Sequence, residues 1–159
     1  MMKYVLDTNV LSEIVKRHPS DRVIDWIHDH ADESYLTSVS VKELYYGLFI
    51  MPDGRRKETL CDAIHAIVED CNGVTLPFDA FCGYICAEMH AKARTMGRGA
   101  TIEDLMIAAI CRRNDATLVT RNVKDFDYLG IPVCNPFDYE SPILKRLKQR
   151  ESRRQELGD

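Results

Sequence analysis

No stretch of this 159-residue chain approaches the roughly 20 apolar residues of a membrane-spanning helix, so no such span is expected. The start, Met1-Met2-Lys3, runs at once into structured-looking sequence without a charged-then-apolar leader, which predicts a cytoplasmic protein. Zinc and disulfide frameworks are missing as well. The six cysteines (Cys61, Cys71, Cys82, Cys86, Cys111 and Cys134) include no C-x-x-C pair and have no matching histidine set. Apolar neighbours, as in Ala109-Ile110-Cys111, mark them as buried free thiols. The five histidines are scattered, and His65 and His90 read as surface or satisfied groups. Low-complexity linkers and internal repeats are absent too, so residues 1–141 read as one domain. The segment 142–159 reads as a basic tail, either a short helix or disordered.

The formal net charge of −4 hides an asymmetry. Residues 142–159 hold six basic and three acidic side chains, a net of +3, which leaves 15 basic against 22 acidic, −7, on residues 1–141. An acidic body repels a nucleic acid unless cations or basic patches intervene. A site that takes a divalent metal reconciles the two.

Apolar, β-branched runs bounded by turn signals predict strands at Lys3–Leu6, Tyr35–Thr37, Gly73–Leu76, Ala116–Val119 and Ile131–Val133. Helical patterns fill the intervals. One runs from Thr8 or Asn9 to about Arg17, a second follows Ser20, and a third starts at Ser40 and ends near Ile50. The others span about Arg55–Glu69, Asp79–Thr95 and Ile102–Arg113. Strands alternating with helices predict an α/β three-layer sandwich, with a central, mostly parallel sheet of about five strands.

In such a sheet ligands bind beyond the carboxyl ends of the strands. Asp7 directly ends the first strand, Glu43 lies one turn into the helix after the second, and Asn122 and Asp125 follow the fourth. Asp104 opens a helix that no strand precedes, so spacing alone does not bring it to the same edge. Each acid has a structural reading. Ser40-Val41-Lys42-Glu43 matches a capping box, Thr101-Ile102-Glu103-Asp104 resembles one, and Asn122-Val123-Lys124-Asp125 is a related pattern. Taken together they form a hard oxygen donor set that suits Mg²⁺ or Mn²⁺ and phosphodiester hydrolysis. Thr8-Asn9-Val10 offers no glycine-rich phosphate turn, which excludes a dinucleotide fold. Position 9 is Asn, so the second carboxylate of an aspartate-nucleophile phosphatase is missing.

Four segments, in order, carry a resemblance. They are Val5-Leu6-Asp7-Thr8-Asn9-Val10-Leu11-Ser12-Glu13, Ser38 through Gly47, Thr101 through Ala109, and Leu118-Val119-Thr120-Arg121-Asn122-Val123-Lys124-Asp125-Phe126. Together they resemble the motifs of PIN-domain ribonucleases, and most nearly the VapC- and FitB-like toxins of bacterial type II toxin–antitoxin systems. The resemblance implies a Mg²⁺-dependent endoribonuclease, with Mn²⁺ as the alternative ion. It implies metal coordination by Asp7 and Asp104, with Glu43 as a third acid. Many members carry Asp where Asn122 stands. Asn122 is assigned there as a neutral ligand or water-positioning group, and Asp125, one turn on, is the alternative. Homodimers and inhibition by a small antitoxin are also implied. Thr8 and Asn9 are expected to orient Asp7 by hydrogen bonding; Glu13 falls near the site in the motif, and its plainer reading is an exposed helical acid. Arg121 reads either as a phosphate contact or as a solvated loop residue. The rival class is a PIN-like module that binds RNA or a partner without cutting.

Overall fold

Val5 and Leu118 face one apolar core while their chain neighbours Leu6 and Val119 face another, the two-residue period of strands buried on both sides. The computed structural model describes residues 2–70 and 75–156. Its strands are β1 (Tyr4–Leu6), β2 (Ser34–Thr37), β3 (Thr75–Leu76), β4 (Thr117–Val119) and β5 (Val133–Cys134). They form one sheet in the order β3-β2-β1-β4-β5, and every pairing is parallel.

Helices α1 (Thr8–Ile14), α2 (Asp21–Asp29), α3 (Ser38–Phe49) and α4 (Arg55–Asp70) pack Val10, Leu11, Trp26, Leu44, Leu48 and Ile64 against one face. Helices α5 (Ala80–Thr95) and α6 (Ile102–Arg113) cover the other with Ile85, Met89, Leu105, Ile107 and Ile110. Burying each such side chain contributes about 1.5–3 kcal/mol. This is the expected three-layer α/β sandwich, with five strands, all parallel. No helix among the described residues is long and apolar enough to cross a membrane. The tail segment continues as α7 (Pro142–Glu156).

Three boundaries differ from the sequence expectation. Helix α1 stops at Ile14, not Arg17, because Glu13 turns inward and accepts from the Ser20 N–H at 3.0 Å, pulling the chain back on itself. The fifth strand is shifted to Val133–Cys134: Pro132 has no N–H to donate, and only its carbonyl enters the ladder, accepting from Leu118 at 2.9 Å. Helix α3 starts at Ser38, two residues early, with Thr37 as its N-cap. Cys71 and positions 73–74 of the expected third strand lie outside the described residues. The described cysteines are all free, with Cys82 and Cys111 buried and the others half-buried.

The strand order sets the site. From β1 the chain moves outward to β2 and β3 on one side, then returns to place β4 and β5 on the other. The reversal lies between β1 and β4, and an open crevice is expected at the carboxyl ends of that pair.

Candidate active site

Asp7 stands at that crevice. Its N–H donates to the Val119 carbonyl at 3.0 Å, so the sheet ladder itself fixes its backbone. Its side chain is only 5% exposed and caps α1, with Oδ1 accepting from the Thr8 N–H at 2.7 Å. Oδ2 accepts from Asn9 Nδ2 and from the Thr120 hydroxyl, each at 2.7 Å.

Thr120, fully buried at the end of β4, is the residue the sequence reading gave no part to. Besides donating to Asp7, its Oγ1 accepts from Asn9 Nδ2 and from the Asn122 N–H, both at 3.0 Å. Asn9 closes the net by accepting from the Arg121 N–H at 3.2 Å. Asn9 therefore orients Asp7, as expected. Thr8 does so only through its backbone, because its hydroxyl donates to Glu43 Oε2 at 2.5 Å instead.

That bond corrects the capping-box reading of Glu43. The cap of α3 is Thr37, whose Oγ1 accepts from the Ser40 N–H at 2.9 Å. Ser40 is already inside the helix, so Glu43 lies beyond capping reach and its carboxylate turns to Thr8, joining the start of α1 to α3. Asp104, by contrast, does sit in a capping box. Its N–H donates to Thr101 Oγ1 at 3.1 Å, and its Oδ2 accepts from the Thr101 N–H at 3.3 Å. Lys42 and Glu103, the chain neighbours of Glu43 and Asp104, form an ion pair at 2.9 Å that links the starts of α3 and α6.

The electrostatics join the acids. Burial pushes the Asp7 carboxyl up from 3.8 to about 6; the Thr120 and Thr8 bonds oppose the rise, and the charges of Asp104 and Glu43 add to it. Each outlying carboxylate has turned to a local donor, Glu43 to Thr8 and Asp104 to Thr101. Among the described residues, no three acids, histidines or cysteines stand gathered as a ready metal cage. The donor set itself, carboxylate oxygens that repel one another, suits a hard divalent cation, which would relieve the repulsion.

Asn122 follows β4 and reaches the net through its backbone. Its side chain is exposed and does not cap the 3₁₀ turn Val123–Asp125, so the expected cap pattern is not formed. Asp125 is exposed as well. Glu13 is a second correction, since it is buried at 4% exposure and not a solvated acid. Burial would raise its pKa, but Lys16 and the Ser20 N–H outweigh that and hold it below the usual carboxylate range. Arg121 is exposed, with its guanidinium 4.9 Å from the Phe137 ring centre.

Thr120→Val keeps the shape of the side chain and removes the hydroxyl, leaving Asp7 and two N–H donors short of a partner. Urea unfolding should show a loss of about 2–3 kcal/mol. A change under about 0.5 kcal/mol would mean that water replaces the hydroxyl and the net is not a structural unit.

The PIN domain family model matches residues 4–131. The plasmid stability protein StbB of Pseudomonas syringae pv. tomato is 39% identical over 137 residues, covering 84% of this chain and 98% of that protein. The VapC ribonuclease Y4jK of Sinorhizobium fredii is 33% identical, covering 84% and 97%. The crystal structure of FitAcB from Neisseria gonorrhoeae matches with a TM-score of 0.79 at 31% identity, covering 85% of this chain and 99% of that one.

Proposed function

This chain belongs to the PIN domain family, and from that premise we propose that it is an endoribonuclease that hydrolyses RNA phosphodiester bonds with Mg²⁺, and the toxin half of a toxin–antitoxin pair. One observation carries the reading: Asp7 is held at the β1/β4 crevice, and its carboxyl is pushed up to about 6 by burial and by the charges of Asp104 and Glu43.

Asp7 and Asp104 are the residues that would hold the ion. When bound, a divalent cation would neutralise phosphate charge and lower the pKa of a water at the scissile bond. The remaining work belongs to the chain. The ladder bond to Val119 and the hydroxyl of Thr120 keep the Asp7 carboxylate fixed at the crevice. Thr8 holds the third acid, Glu43, opposite it. Asn122, exposed beside this net, offers a neutral amide that positions a water or a phosphate oxygen without adding to the acids' repulsion. Asp125, one turn on, is the alternative fourth residue, and its charge acts on Tyr128 together with that of Asp104.

Protein partners belong to the same reading. Tyr46, Phe49 and Ile50 at the end of α3 are 60–69% exposed, an apolar patch that supports a homodimer contact. A groove of about 850 Å³ between α1 and α4, lined by Ser12, Val15, Lys16, Arg17, Arg56 and Leu60, suits an inserted antitoxin segment.

The deciding experiment incubates purified protein with total RNA in Mg²⁺ and in excess EDTA. Cleavage is expected only with Mg²⁺. Equal cleavage in EDTA would refute the metal mechanism. RNA retained uncut in both Mg²⁺ and Mn²⁺ would make the protein a binding module.

A further inference from the structure

Helix α7 begins eleven residues after the matched PIN region ends at residue 131, and nothing in the proposed chemistry uses it. Its residues from Pro142 to Arg153 are all exposed. Its first turn is closed by the Lys145 N–H donating to the Ser141 carbonyl at 3.0 Å, Lys148 pairs with Glu140 just ahead of the helix at 3.2 Å, and the Tyr139 hydroxyl, donating to Asp29 at 2.8 Å, joins the chain before it to α2. A 15-residue helix with little apolar face does not form for its own packing.

Its charge is the informative part. Arg146, Gln149, Arg150 and Arg153 line one shallow groove, and their i, i+3, i+4, i+7 spacing places them on a single helix face about 10 Å long. The segment carries a net of +3 on a protein whose remaining 141 residues carry −7. Arginine forks match phosphate oxygens in pairs. An acidic crevice that must receive a polyanion needs a basic surface elsewhere to supply affinity. Ile143, Leu144 and Leu147, confined to the first half of the helix, make a short apolar edge without Trp or Tyr, too small to hold a helix in a lipid interface.

We infer that α7 is an RNA-docking arm whose Arg146, Arg150 and Arg153 grip the phosphate backbone of the substrate; this rests on the ribonuclease reading above. The arm recognises charge and not sequence, so it serves long RNA of any composition.

The test uses the full chain carrying Asp7→Asn, so that RNA survives, and a fluorescein-labelled 20-nucleotide single-stranded RNA. Binding is followed by fluorescence anisotropy from 50 to 200 mM KCl in Mg²⁺. R146Q/R150Q/R153Q, which keeps good helix formers, is expected to flatten the log Kd against log salt slope by about 2, at roughly 0.7 per lost phosphate contact. Affinity at 100 mM KCl should fall at least tenfold, and R146K/R150K/R153K should retain the parent slope. In the protein with Asp7 intact, the glutamine variant should raise KM for the same RNA about tenfold. An unchanged slope and Kd in the glutamine variant, beside intact RNA cleavage by the parent, would overturn the arm and leave the nuclease standing. No RNA binding or cleavage by the parent would overturn both. A glutamine variant that binds RNA normally but loses anionic phosphatidylserine vesicles, or its dimer in ultracentrifugation, would also overturn it and give the face to lipid or to a second copy.

Discussion

Asp7→Asn is expected to lower single-turnover RNA cleavage at least about a thousandfold, a loss near 4 kcal/mol in the barrier, while the fold survives. The substitution is nearly isosteric, so the consequence is chemical. Asn keeps an oxygen for the Thr8 N–H, bonded to Asp7 at 2.7 Å, and it removes the charge that would hold a cation beside Asp104. It also sets an amide N–H against Asn9 Nδ2, where Oδ2 accepted at 2.7 Å, which costs about 1–3 kcal/mol. Against that stands the removal of a buried carboxylate whose pKa is raised from 3.8 to about 6, a strain of about 3 kcal/mol. The two nearly cancel, so circular dichroism melts should move by only a few degrees. A variant cleaving within tenfold of the parent would show that the charge at position 7 is not used.

The second large effect is a pH-dependent stabilisation by Mg²⁺. At pH 7.5 and a hundredfold excess over Kd, binding adds about 2.7 kcal/mol, a rise in Tm of roughly 5–10 °C for a domain of this size. Asp7 has a folded pKa of about 6 against an ordinary 3.8, so without metal its ionised form destabilises the fold above pH 6. That cost fades as pH falls through 6 and is gone near 4, giving the metal-free protein up to about 3 kcal/mol more stability from this group at acid pH. Protons and metal compete for the same carboxylate, so the Mg²⁺ shift should shrink by about tenfold in affinity per unit below pH 6. Calorimetry in Mg²⁺ and in EDTA at pH 5, 6 and 7.5 reads both trends. A Mg²⁺ shift of equal size at all three, or one kept in full by Asp7→Asn, would remove Asp7 from the metal site.

The strands and layers were legible because a parallel sheet buried on both faces demands apolar runs such as Tyr4-Val5-Leu6 and Thr117-Leu118-Val119. Asp7 and Asn9 were legible for a similar reason, since their relation is local. Glu43 was half legible: its place after β2 was right, but its bonding depended on whether α3 starts at Ser38 or Ser40, which a run of Ser and Val does not decide. Glu13 was misjudged because its position on a short helix says nothing of Ser20 returning over it. Thr120 was missed outright. A threonine after a strand looks like any turn residue, and its partner is 113 positions away, brought near only by the adjacency of β1 and β4.

That adjacency has a bearing on when the proposed site can form during synthesis. Asp7 is made well before its strand partner β4 and before the Thr120 hydroxyl, which lies 113 positions further along the chain. Closing so long a loop waits on synthesis through β4. A nascent or truncated chain therefore carries its acids without the frame that aims them. The proposed nuclease site thus waits for the chain to be made at least through β4 and Thr120.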